Sequence, residues 1–68
     1  MTAEEKRKKR IFEIRETVRK LRYCDKESII AECMDSWGSS RRTILEYIKL
    51  LINLKKMREE KGILKWGK

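Results

Sequence analysis

Apolar positions near the start of the chain recur at three- and four-residue steps. Ile11, Ile14, Val18 and Leu21 form one stripe, the mark of a helix with a single buried face. Thr2 and Glu5 have capping-box spacing, so this helix is expected over residues 3–22. Phe12 lies about 100° off the stripe. Tyr23 and Cys24 predict a short strand. Asp25 is a good N-cap for a second helix over 26–37, and Glu27 in its first turn suits the dipole. Ile30, Met34 and Trp37 share one face of it, with Ile29 and Cys33 alongside. Gly38 suits the left-handed residue that ends such a helix.

Ser39 or Ser40 can cap a third helix, expected over 40–61. Its apolar positions cover more than one face. Ile44, Ile48 and Leu51 cluster on one side, whereas Leu50, Leu54 and Met57 are rotated by roughly 100°. Tyr47, Leu50, Leu54 and Met57 step by three, four and three, the spacing of a heptad seam, though for under two heptads. Gly62 is expected to close this helix, and Ile63 to Trp66 read as a second short strand. The expected fold is mainly α: one domain over 1–68, three helices and a strand pair at about 23–24 and 63–66.

Composition adds a size problem and a charge. A chain of 68 residues is one small domain. It buries only about 60% of its unfolded surface, so a partner, disulfide or metal is commonly recruited. Nineteen Lys and Arg against eleven Asp and Glu leave +8, which fits a polyanionic partner. The charge is uneven. Residues 1–22 carry +5 and residues 41–68 carry +6, while residues 23–40 carry −3. The absence of His excludes imidazole chemistry, and the absence of Pro with only three Gly favours helices.

No apolar run approaches the ~20 residues that span a bilayer, and Met1 to Arg10 is polar, so a cytoplasmic protein is expected. Cys24 and Cys33 are expected about 12 Å apart along the second helix, too far for an intrachain bridge. Two thiols make no zinc site, and small buried hydrophobes are the simpler reading for both. Gln is absent and Asn occurs once, a bias towards Lys, Arg and Glu that is reported for thermophile proteins. In such cells an intermolecular disulfide is less improbable.

The order helix, strand, helix, tight turn, helix, strand resembles a winged helix-turn-helix domain. Ile30-Ala31 through Met34, then Trp37-Gly38-Ser39-Ser40-Arg41-Arg42-Thr43-Ile44, then Tyr47-Ile48 and Leu51, are similar to that family's second helix, turn and recognition helix. The Ser40 to Ile44 segment is the most specific part. Three features depart from the pattern. Met34 stands where a small residue is usual, and Ser39 where an apolar one is. Thr43 and Gly62 are nineteen positions apart where about a dozen is common. The excess implies an extended third helix and a wing cut short, with one strand present and its hairpin partner missing.

The resemblance implies DNA binding. Ser39, Ser40, Arg41, Arg42 and Thr43 would open the recognition helix, and its outer face continues through Glu46, Lys49 and Asn53. A serine-capped N-terminus suits a phosphate, and Arg41 or Arg42 can pair with guanine. First-turn cations oppose the helix dipole, which favours a use in binding over a structural one. Glu46 could accept from cytosine or repel phosphate. Lys65 and Lys68 could reach phosphate from the wing. The run Lys6 to Arg10 reads equally as a solvated face or a phosphate contact. Trp37 and Trp66 read as core, and Tyr23 stays open.

Phe12, Leu50, Leu54 and Met57 are the expected dimer interface, because a second copy would supply the mass that a long third helix lacks. The leading expectation is therefore a homodimeric, sequence-specific binder of double-stranded DNA, a transcriptional regulator with no cofactor and no metal. A protein-interaction module and an RNA- or ribosome-associated protein are the alternatives. An enzyme is least expected, since no nucleophile–base pair or metal cluster is visible.

Overall fold

Local capping sets the first two helices. In a computed structural model, which describes residues 2–67, Thr2 Oγ1 accepts from the Glu5 amide at 3.1 Å and α1 runs Ala3–Leu21. Arg22 ends it at φ 70, its amide donating to Val18 O at 2.7 Å. Ile14 and Val18 are buried, but residues 2–9 are exposed, so the first turns of α1 extend past the core. Leu21 ends the apolar stripe and yet is 57% exposed.

β1 is Tyr23–Asp25, and α2 is Lys26–Trp37. Asp25 Oδ2 accepts from the Ser28 amide at 3.0 Å. Gly38 takes the left-handed conformation at φ 66, its amide donating to Met34 O at 2.9 Å. Ile29 and Ile30 face the core, whereas Met34 is 39% exposed.

The third helix is shorter than its apolar spacing predicts. α3 spans Arg41–Asn53, not 40–61. Its end is a Schellman motif: the Lys55 amide donates to Ile52 O at 3.0 Å and the Lys56 amide to Leu51 O at 3.1 Å. Lys55 occupies the left-handed position, φ 63, that Gly usually takes. The chain then turns into β2, Met57–Glu60, and β3, Ile63–Trp66. The wing is complete, and the missing hairpin partner lies before β3. Gly62 does not close a helix. With Lys61 (φ 52) it makes the two-residue hairpin turn at φ 79, the double positive φ of a type I′ turn. The nineteen positions from Thr43 to Gly62 thus hold most of α3, its Schellman end, β2 and the turn.

The sheet is antiparallel in the order β1-β3-β2. Cys24 and Glu59 flank Leu64, and Met57 faces Trp66. Three helices with this small antiparallel sheet are compatible with a winged-helix-like fold. The core collects Ile14 and Val18, Ile29 and Ile30, then Ile44, Tyr47, Ile48 and Leu51, and closes on Met57 and Leu64 of the hairpin. Fully burying one such side chain contributes about 1.5–3 kcal/mol, so the hairpin supplies two of the ten main core contributions. Trp37 and Trp66 pack partly buried against this core.

Candidate nucleic-acid interface

Ser40 caps α3 from outside. Its Oγ accepts from the Thr43 amide at 3.3 Å and lies 3.0 Å from Thr43 Oγ1. The cap satisfies the third amide of the helix, and the amides of Arg41 and Arg42 stay at its open end. Thr43 is half-buried, and its hydroxyl is used locally. Ser39 is half-buried too, its Oγ accepting from Arg10 Nη1 at 3.2 Å. The Arg10 guanidinium also lies 5.4 Å from the centre of the Trp37 ring. One cation thus ties α1 to the turn between α2 and α3. Arg7 lies one turn earlier on the same stripe of α1 and is exposed beyond the core.

From this cap an unburied stripe runs along α3. Arg41, Arg42, Glu46, Lys49 and Asn53 are all exposed, while Ile44, Ile48 and Leu51 hold the opposite side in the core. Arg41, Arg42, Leu45, Glu46 and Lys49 outline a shallow hollow there. These residues match the stripe that the spacing predicts.

Its cations are not idle. Arg41 forms a two-pronged ion pair with Glu27 of α2, Nη1 to Oε1 at 2.6 Å and Nη2 to Oε2 at 2.7 Å. That bond, with the neighbouring positive charges, holds the Glu27 carboxyl below the usual range and raises Arg41. Arg42 Nε lies 3.6 Å from Glu46 Oε1, with the Arg42 side chain 91% exposed. Lys26 Nζ donates to Glu59 Oε2 of the wing at 2.7 Å. The Lys26 amide donates to Gly62 O at 2.9 Å, so the wing turn is fastened to the start of α2. The first turns of α2 and α3 and the wing tip therefore form one connected, charged edge.

Lys65 belongs to this wing, but its Nζ donates to Glu60 Oε2 at 3.0 Å. Arg58 Nε lies 3.3 Å from Glu60 Oε1, and Glu60 is held below the usual carboxylate range, mainly by Lys65. Lys68 lies outside the described residues. Lys26, Arg58 and Lys61 were missed by sequence reasoning. The signal for them was the Lys61-Gly62 pair, which reads as a hairpin turn once residues 57–60 are taken as a strand.

The expected dimer set does not hold together. Met57 is 1% exposed in the domain core, because the helix that would have displayed it ends at Asn53. Leu50 is half-buried, and only Phe12 and Leu54, at 52% and 56%, are largely exposed. No α3 seam of Leu50, Leu54 and Met57 exists.

Cys24 and Cys33 are free thiols, each raised above its ordinary value chiefly by burial, with nearby carboxylates adding to it. No group of three or more His, Cys, Asp or Glu is placed to hold a metal among the described residues. Among them, too, no helix is long and apolar enough to cross a membrane. No protein-family model, curated protein or solved structure matches this chain.

Proposed function

We propose that this protein binds double-stranded DNA, with α3 entering the major groove, and acts in transcriptional regulation. The observation that carries this reading is the outward stripe of α3. Arg42, Glu46, Lys49 and Asn53 are exposed and make no core contact, yet they lie in line behind an open, serine-capped helix N-terminus. A helix displayed in this way can enter a groove about 12 Å wide without unfolding anything. The open amides of Arg41 and Arg42 suit a phosphate oxygen. Lys26 and Lys61 come together where the wing turn is fastened to the start of α2, and Arg10 sits at the turn between α2 and α3. With Arg7 these are the cations the reading offers to backbone phosphates. Arg42 and Lys49 are the residues best placed for base edges, and Arg42 can pair bidentately with guanine.

The test is duplex binding against salt. Binding should weaken linearly in log K against log salt, with a slope near −0.9 for each phosphate neutralised. Arg42→Ala and Lys49→Ala should weaken it further. A flat plot, or no binding at about 50 mM salt, would overturn the reading. Stronger competition by structured RNA than by duplex DNA would assign the surface to RNA instead.

A further inference from the structure

The Phe12 ring is about half exposed on α1, at the edge of a cleft shared with α2. It is flanked by Arg15, whose guanidinium lies 5.6 Å from the ring centre. Glu5, Lys9, Phe12, Glu16 and Arg19 follow one another at steps of four, three, four and three, so they form a single stripe at heptad spacing. From the N-terminal to the C-terminal end, the stripe reads acid, base, ring, acid, base.

This order is self-complementary in one orientation only, although Lys8 and Arg15 on the other flank of Phe12 meet as like charges in the same pairing. In an antiparallel pair of α1 helices centred on Phe12, Lys9 of each copy lies opposite Glu16 of the other, and Glu5 opposite Arg19. Both matches occur twice by symmetry and agree in height to within about one residue, 1.5 Å. A parallel pair would set Lys9 against Lys9 and Glu16 against Glu16, which repel.

The neighbouring groove supports the same partner. Between α1 and α2 lies a cleft of about 530 Å³ with Phe12, Ile29, Cys33 and Trp37 among its walls. Its charged walls are Glu13, Glu16, Glu32 and Asp35, all acidic, on a chain whose net charge is +8. In the antiparallel pair, Lys9 of the second copy arrives at the mouth of this groove, between Glu13 and Glu16.

We propose that the protein forms a homodimer through α1, antiparallel about Phe12, with Lys9 of each copy seated against Glu16 of the other. This replaces the α3 seam with a charge-matched face on which Lys9 is exposed and Glu16 half-buried. In the single chain Glu16 Oε1 accepts from Arg19 Nη1 at 3.0 Å and its Oε2 lies 4.0 Å from Arg15 Nε, and in the dimer that carboxylate would be shared with Lys9 of the second copy.

Charge exchange tests it, in sedimentation equilibrium without DNA, so that its failure leaves the DNA reading untouched. Lys9→Glu alone and Glu16→Lys alone should each weaken the dimer by about tenfold, because two matched pairs become two repulsive ones. An equimolar mixture of the two variants should form a heterodimer in which both pairs are opposite again. The double variant K9E/E16K should recover the homodimer. Residues 9 and 16 are about 10.5 Å apart along one helix, so recovery cannot come from an ion pair within the chain. Circular dichroism checks that each variant is folded, and Lys9→Glu keeps the Glu16–Arg19 contact intact. A monomeric wild-type chain, a Lys9→Glu dimer as tight as wild type, or a mixture that stays monomeric would each overturn the proposal.

Discussion

Arg41 and Glu27, fourteen residues apart in sequence, face each other through two parallel hydrogen bonds of 2.6 and 2.7 Å between the first turns of α3 and α2. A guanidinium held in this way has two of its five N–H groups and much of its charge engaged by the carboxylate. Glu27 therefore weakens the pull of the Arg41 side chain on a phosphate at the open end of α3. Glu27→Gln should tighten duplex DNA binding at low salt and steepen the log K against log salt plot by up to about 0.9, one further phosphate contact. The protein itself should lose little stability, since both groups are largely exposed and water screens the pair. An unchanged salt slope would show that Arg41 meets no phosphate.

The same pair gives a pH dependence of known sign. Glu27, and Glu60 beside Lys65, have folded-state pKa values below the ordinary 4.5. Near that pH the unfolded chain binds more protons than the folded one, so the contribution is complete above 4.5 and is lost as pH falls through the lower folded values. Thermal unfolding followed by circular dichroism should show a midpoint that is insensitive to these two groups above about pH 5 and that falls below it. The fall should be shallower in a Glu27→Gln, Glu60→Gln variant.

Met57 and Leu54 separate the observed hairpin from a continued helix. Met57 is 1% exposed in the core and Leu54 is 56% exposed. Met57→Ala should cost about 2–5 kcal/mol in urea unfolding, enough to unfold much of so small a domain. Leu54→Ala should stay within about 0.5 kcal/mol. Equal effects at the two positions would be the signature of a seam instead.

The sequence made α1 and α2 legible because their signals are local. Thr2, Asp25 and Gly38 each act within four residues, and each does in the structure what its chemistry predicts. The end of α3 was illegible for a local reason as well. Its left-handed residue is Lys55, and the next glycine, Gly62, serves a different turn. β2 reads Met-Arg-Glu-Glu, residues that favour helices, with one apolar side chain to betray a strand. Leu50, Leu54 and Met57 fell into heptad spacing by coincidence, and that coincidence alone suggested a seam.

Much of the candidate site was legible, because one cap and a 3.6-residue period place Arg42, Glu46, Lys49 and Asn53 on one face. Its ion pairs were not. Glu27 meets Arg41, and Lys26 meets Glu59 thirty-three residues away, only after three elements have packed. No spacing rule along the chain encodes such contacts.

Lys55 offers a direct test of the helix stop. Its φ of 63 is one that L side chains adopt at a cost of roughly 1 kcal/mol, and two Schellman hydrogen bonds depend on it. Lys55→Gly removes the steric cost but enlarges the entropy of the unfolded chain, which returns part of the gain. The net result should be a stabilisation of up to about 1 kcal/mol, read as a higher urea midpoint at an unchanged slope. Were α3 to continue through this position as an ordinary helix, the same substitution would place glycine in a helix interior and destabilise by about 0.8–1 kcal/mol. The sign of the shift alone distinguishes a helix that stops at Asn53 from one that runs on.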